Sequence, residues 1–209
     1  MPKPLPLLGD NFESGCRTLR NFARRLEANH VQLKAPNAGL TLSGIELSYE
    51  LIYLKVFLLW EELLQEVFVR LLIGFQSNGG SENLLPGITK CRSLIDAEAL
   101  LLGGRRYRLW HDPVQVMARS DMFFEPVNSH FRGVIGANQA SLSDFAKVRH
   151  QVAHSQSHAR TEFDTATMSM AGKRYGGHAG RFLREAKVDG RKWLEFICDE
   201  LAEVAHQIC

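Results

Sequence analysis

No stretch of about 18 uncharged apolar residues occurs in the chain. Its greasiest segment, residues 45–73, is interrupted by Glu46, Glu50, Lys55, Glu61, Glu62, Glu66 and Arg70, so no membrane-spanning helix is expected. Cysteine is scarce, with four in 209 residues. Cys16, Cys91, Cys198 and Cys209 stand far apart without a CxxC pair, which removes zinc-knuckle and dithiol-redox patterns and leaves reduced, partly buried thiols. The opening MPKPLPLLGD has one lysine and a short proline-broken apolar run rather than the h-region of a secretory signal. A cytoplasmic protein that makes no use of membranes is therefore expected. P-loop, GxGxxG and GxSxG motifs are all missing, and kinase, Rossmann and serine-hydrolase chemistry lose their support with them. Neither an internal repeat nor a low-complexity segment interrupts the chain.

What is there belongs to an ordinary globular protein: 45% apolar and 23% charged residues exclude disordered and fibrous classes. The length suits one decorated domain, taken here as residues 1–209. Net charge is only +2, but it is unevenly placed. Residues 101–192 hold 15 Lys and Arg against 8 Asp and Glu, and six of the eight histidines, His111 to His178, fall within them. A polyanion site should be sought in that stretch.

The apolar periodicity is helical, with almost no strand alternation, and predicts an all-α protein. A first helix is expected from Asp10 to Ala28, with Phe12, Cys16, Leu19, Ala23 and Leu26 on one face. Arg17, Arg20, Arg24 and Arg25 lie on another, either as a solvated surface or facing phosphate. A longer helix is expected from Ile45 to Ile73, about 43 Å at the usual rise per residue. Between Leu47 and Trp60 it is apolar in nearly every direction, which calls for burial on two sides, under other helices or between two subunits. A homodimer is the expectation.

Residues 74–95 read as a loop, a short helix runs from Asp96 to Leu102, and Pro113 opens another that reaches about Phe124. Between them GRRYRLWHDP interleaves Arg105, Arg106 and Arg108 with Tyr107, Trp110 and His111. That mixture suits phosphates and stacked bases, and equally a solvated loop with one buried tryptophan. ASLSDFAKVRHQVAHSQ is a further helix, with Leu142, Phe145, Val148 and Val152 as its apolar stripe. MAGKRYGGHAGRFLRE reads as a flexible basic loop carrying Lys173, Arg174, His178, Arg181 and Arg184. A closing helix spans about Gly190 to Ile208.

The chemistry is sought in RHQVAH, residues 149–154. A guanidinium stays charged and grips phosphate oxygens, while imidazole exchanges protons near neutral pH, so Arg and His together can handle a phosphodiester without a metal. On an ideal helix Arg149 and His154 lie about 140° apart and His150 and His154 about 40°. A helix pair would gather the three more readily than one helix.

The string Arg149-His150-Gln151-Val152-Ala153-His154, followed by the small Ser155, resembles the RxxxxH signature of HEPN domains, and the helix order is compatible with their plan over most of the chain. The resemblance implies an all-α, HEPN-like bundle of four to five main helices with loop insertions. It also implies a metal-independent, cofactor-free endoribonuclease in a toxin–antitoxin or antiviral-defence setting. Its protomers would pair two RxxxxH motifs in one cleft, with RNA as substrate and an antitoxin protein as a further partner. His154 would be general acid or base, Arg149 would stabilise the phosphorane-like transition state, and His150 would orient phosphate or assist proton transfer. Arg105, Arg106, Arg108, Lys173, Arg174 and His178 would bind substrate.

Two alternatives stand beside this reading. Some HEPN domains are catalytically silent nucleotide-binding or protein-interaction modules. Separately, His150, His154 and His158 recur at four-residue steps and could seed a zinc or nickel site on one helical face, although no Glu follows His150 as in HExxH and Ser155, Gln156 and Ser157 suggest fraying before His158.

Overall fold

The computed structural model describes residues 3–32, 41–104, 109–154, 156–187 and 189–209, with only the backbone of 30–32. Nine α-helices and one two-stranded hairpin occur among the described residues, in agreement with the all-α expectation. They are α1 (Leu8–Gln32), α2 (Leu42–Ile73), β1 (Gln76–Ser77), β2 (Gly80–Ser81), α3 (Leu94–Leu102), α4 (Pro113–Ser120), α5 (His130–Ala137), α6 (Gln139–Ala153), α7 (Ser157–Ala171), α8 (Ala179–Arg184) and α9 (Trp193–Ile208). The chain divides into two compact units, one of Met1–Phe12, Leu59–Ser143 and Leu201–Cys209, the other of Glu13–Leu58 and Asp144–Glu200.

In the first unit Phe68 of α2 is fully buried and meets four rings, Trp110, Phe123, Phe124 and Phe131, at centroid distances of 5.5, 5.7, 5.0 and 5.6 Å. Trp110 donates its indole N–H to Gln65 Oε1 at 3.1 Å, and the Arg119 guanidinium lies 4.3 Å above its ring, so this polar-edged side chain is buried at little cost. Asp112 caps α4 by accepting from Val114 N at 2.9 Å, with Pro113 in the first turn. That helix stops at Ser120, short of the expected Phe124, because Phe123 and Phe124 turn away to pair with Leu85 and Leu84 of the preceding loop. The same loop contains the antiparallel hairpin, Gln76 opposite Ser81 and Ser77 opposite Gly80. Helix α5 was not expected: Gly133 and Gly136 weaken its signal, and it forms because Ser129 caps Arg132 N at 3.1 Å while Phe131 and Ile135 are buried.

In the second unit a chain of rings forms the core: Phe163 to Phe182 at 5.9 Å, Phe182 to Trp193 at 5.0 Å, Trp193 to Phe196 at 5.7 Å and Phe196 to Phe145 at 6.5 Å. The buried Tyr53 hydroxyl donates to the Phe145 carbonyl at 2.9 Å and so ties α2 to α6. Two of the α1 arginines are committed: Arg20 pairs with Asp199, and Arg24 Nε meets Glu195 Oε1 at 2.7 Å. Glu27 accepts from Arg184 Nε at 2.6 Å and from Lys192 Nζ at 2.7 Å. Burial pushes the Glu27 pKa upward, but those two cations outweigh it and hold the carboxyl at about 2.

The basic 170–185 loop contains α8, against the expectation of continuous loop. Gly180 lies so close to α2 that a Cβ there would stand 2.0 Å from the Glu46 carbonyl oxygen, and its N–H donates to Glu50 Oε1 at 2.9 Å. Along α2, Tyr49, Ile52, Tyr53, Val56 and Phe57 are buried, whereas Leu47, Leu51 and Leu58 are each about half exposed.

Candidate functional site

The motif lies at the end of α6, and the packing of that helix decides where its side chains point. Leu142, Phe145 and Val148 are buried, so His150 and His154 project from the opposite side and half-buried Arg149 flanks the buried face. The two imidazoles meet edge to face, with ring centroids 4.9 Å apart and planes at 81°. On ideal helix geometry Arg149 stands about 140° round the axis from position 154, a spacing that would keep one chain from gathering the pair on one face.

The helix ends at Ala153, where His154 N bonds to the His150 carbonyl at 2.9 Å, and α7 begins at Ser157. Ser155 lies outside the described residues. His158 therefore belongs to the first turn of α7, which corrects the idea of three histidines on one helix. The turn nevertheless brings it back, with its ring 6.3 Å from that of His150. Glu162, one turn further along α7, joins the two: its Oε2 is 2.6 Å from His150 Nδ1 and its Oε1 is 3.3 Å from His158 Nε2. Among the described residues no group of three or more His, Cys, Asp or Glu is arranged to hold a metal ion, and the zinc or nickel alternative gains no geometry.

Glu162 escaped sequence reasoning because α7 did. Its buried stripe of Ala159, Phe163, Ala166 and Thr167 is small and only partly apolar, its interior carries three threonines, and Gln156 gives no side-chain cap. The i,i+4 spacing of His158 and Glu162 was the legible clue once that segment is a helix.

The expected substrate-binding residues have different fates. Arg105, Arg106 and Arg108 lie outside the described residues. Lys173 is exposed, but its ammonium is 2.6 Å from Glu185 Oε1 and 4.6 Å from the centre of the Tyr175 ring. Hydrogen bonding to Glu185 holds its pKa above the ordinary lysine value. His178 is exposed at the start of α8, with helix-entry backbone angles and no side-chain cap bond. Arg174 is exposed and lines a groove of about 360 Å³ with Thr161, Asp164, Thr165 and Met168 of α7. That face of α7 adjoins the face bearing His158 and Glu162.

Arg160, another residue missed from sequence, fastens the basic loop. Its guanidinium donates to the Gly177 carbonyl at 2.6 Å and to the Tyr175 carbonyl, and it meets Asp164 Oδ1 at 3.0 Å. The loop expected to be flexible is thus tied to α7 by its backbone. The resulting surface combines two outward imidazoles at the end of α6, a carboxylate of α7 that engages one of them and the exposed Arg174 guanidinium of the following loop beside α7. These groups can exchange protons and contact an anion, the two requirements of phosphodiester chemistry without a metal.

Comparison with protein-family models, with curated proteins and with solved structures gives no match.

Proposed function

We propose that the chain is a metal-independent endoribonuclease of the HEPN type. The observation that carries this reading is the edge-to-face pair of His150, in the last turn of α6, and His154, one residue beyond its end, in an RxxxxH motif. The ribose 2′-OH attacks the adjacent phosphate while an imidazole accepts its proton. Protonated imidazole supplies a proton to the departing 5′ oxygen, and Arg149 balances charge on the phosphorane-like transition state. The products are a 2′,3′-cyclic phosphate and a 5′-OH. DNA, without a 2′-OH, is not cleaved.

Two copies of the chain make the site. Arg149 and His154 diverge on one helix, so a partner's motif supplies the missing group across the cleft. The half-exposed Leu47, Leu51 and Leu58 give α2 an apolar row for that pairing. A toxin–antitoxin or antiviral-defence role and an antitoxin partner belong to the same reading, and the protein acts in the cytoplasm.

The test is cleavage of mixed cellular RNA in excess EDTA by wild type, Arg149→Ala and His154→Ala, with end-group analysis. Cleavage by wild type alone, leaving a cyclic phosphate, is expected; loss of folding in both variants would make the pair structural, and undiminished cleavage by either would relocate the site. The same 140° divergence favours a second reading, a catalytically silent nucleotide-binding or protein-interaction module, for a chain that remains single. A monomer at micromolar concentration with no cleavage would support it.

A further inference from the structure

The contact between His150 and Glu162 gives the two motif histidines unequal roles. An ionised carboxylate can only accept hydrogen bonds, so Glu162 Oε2 at 2.6 Å requires a proton on His150 Nδ1. In neutral His150 the lone pair then lies on Nε2, at the far side of the ring. Both side chains are about one-third exposed, which leaves the imidazole open to a ligand while its orientation is held. His154, beyond the end of α6, is exposed and meets only the edge or face of His150 among the described rings.

Building on the nuclease reading, we infer that Glu162 is a positioning residue that fixes His150 as the Nε2 base of the reaction, with His154 as the acid. His150 Nε2 takes the proton of the ribose 2′-OH as O2′ forms its bond to phosphorus. The P–O5′ bond breaks, and protonated His154 gives its proton to O5′. One proton is taken up and one released, and solvent exchange restores both rings. The negative charge of Glu162 also stabilises the imidazolium formed on His150 during the step, the function a buried or semi-buried carboxylate has behind a catalytic imidazole. His158 occupies the other oxygen of the same carboxylate, which limits its rotation away from His150.

The test reads the tautomer directly and activity separately. Long-range ¹H–¹⁵N spectra of histidine-labelled full-length protein are recorded with neutral imidazoles, and the His150 signals are assigned with His150→Gln. Wild type and His158→Ala are expected to carry the His150 proton on Nδ1, whereas Glu162→Ala releases the ring toward the mixture found in free imidazole. A His150 proton on Nε2 in wild type, or no change in Glu162→Ala, overturns the positioning role whatever the activity. In the cleavage assay Glu162→Ala should lose roughly 100-fold in kcat with KM little changed, within the usual range for general acid–base assistance. The double variant with His150→Ala should lose no more than His150→Ala alone, since both remove one device. If wild type cleaves and Glu162→Ala is equally fast, positioning fails while the nuclease reading stands; if wild type leaves RNA intact although the tautomer is as expected, the nuclease reading fails and takes the proton-transfer role with it.

Discussion

Replacing Gly180 by alanine adds one methyl group at the closest approach of α8 to α2. The new Cβ would lie 2.0 Å from the Glu46 carbonyl oxygen, 2.5 Å from its carbonyl carbon and 3.0 Å from its Cα. All three are backbone atoms inside a 32-residue helix, so no side chain can rotate out of the way. Relief requires α8 to retreat by more than 1 Å on an order-of-magnitude view, which also stretches the Gly180 N–H bond to Glu50. Overpacking alone costs about 1–3 kcal/mol, and a weakened hydrogen bond to a charged acceptor adds about 1 kcal/mol or more. Against this, alanine gains about 1 kcal/mol over glycine in helix propensity. The net loss is about 1–3 kcal/mol, a fall of roughly 2–12 °C in Tm for a chain of this size. Gly133→Ala is the control: it lies inside α5 with no heavy atom within 4 Å of its added Cβ and no positive φ, and should stabilise by about 0.5–1 kcal/mol. Thermal unfolding followed by circular dichroism at 222 nm compares the three proteins. A Gly180→Ala protein as stable as wild type, with Gly133→Ala behaving as expected, would refute the close packing of α8 on α2.

Glu27, held at a pKa of about 2 against an ordinary 4.5, binds fewer protons folded than unfolded, so its stabilisation is full above about pH 4.5 and disappears as pH falls toward 2. Urea unfolding should show Glu27→Gln weaker than wild type by on the order of 1–2 kcal/mol at pH 6, after allowance for solvent screening, with the gap closing near pH 2; a gap that ignores pH would contradict the ion-pair account. Phe68→Ala removes the ring shared by four aromatic neighbours and should cost about 3–5 kcal/mol, seen as a lower Tm and a weakened near-ultraviolet dichroism signal. Leu51→Glu places a charge in the exposed apolar row of α2 without touching its buried side, so, on the proposed pairing, analytical ultracentrifugation should find wild type as a dimer and the variant as a folded monomer; a variant dimer of unchanged affinity would move the interface elsewhere.

The strongest sequence signals were those whose physics is local. The three-to-four-residue recurrence in α1, α2, α6 and α9 reports one helix packing one apolar face, and it located all four to within a few residues at most boundaries. Pro113 announced the start of α4 by its own chemistry, since its fixed φ and missing N–H suit the first helical turn. The motif at the end of α6 was legible for the same reason, as was the divergence of Arg149 from His154, which is helix geometry alone.

Other elements depended on neighbours distant in sequence. Helices α7 and α8 carry threonines, small residues and glycines that specify little by themselves; Phe163, Phe182 and Trp193 supply the stacked core that stabilises them. The pairing of Glu162 with His150, the commitment of Lys173 to Glu185 and the tethering of the basic loop by Arg160 all follow from that packing. Sequence by itself therefore determined the helical class, the main apolar faces and the RxxxxH string of Arg149 to His154 on which the proposal rests. Tertiary structure alone decided which cations were already paired, which imidazole met a carboxylate and which leucines of α2 stayed exposed, because each is set by side chains that only folding brings within a few ångströms.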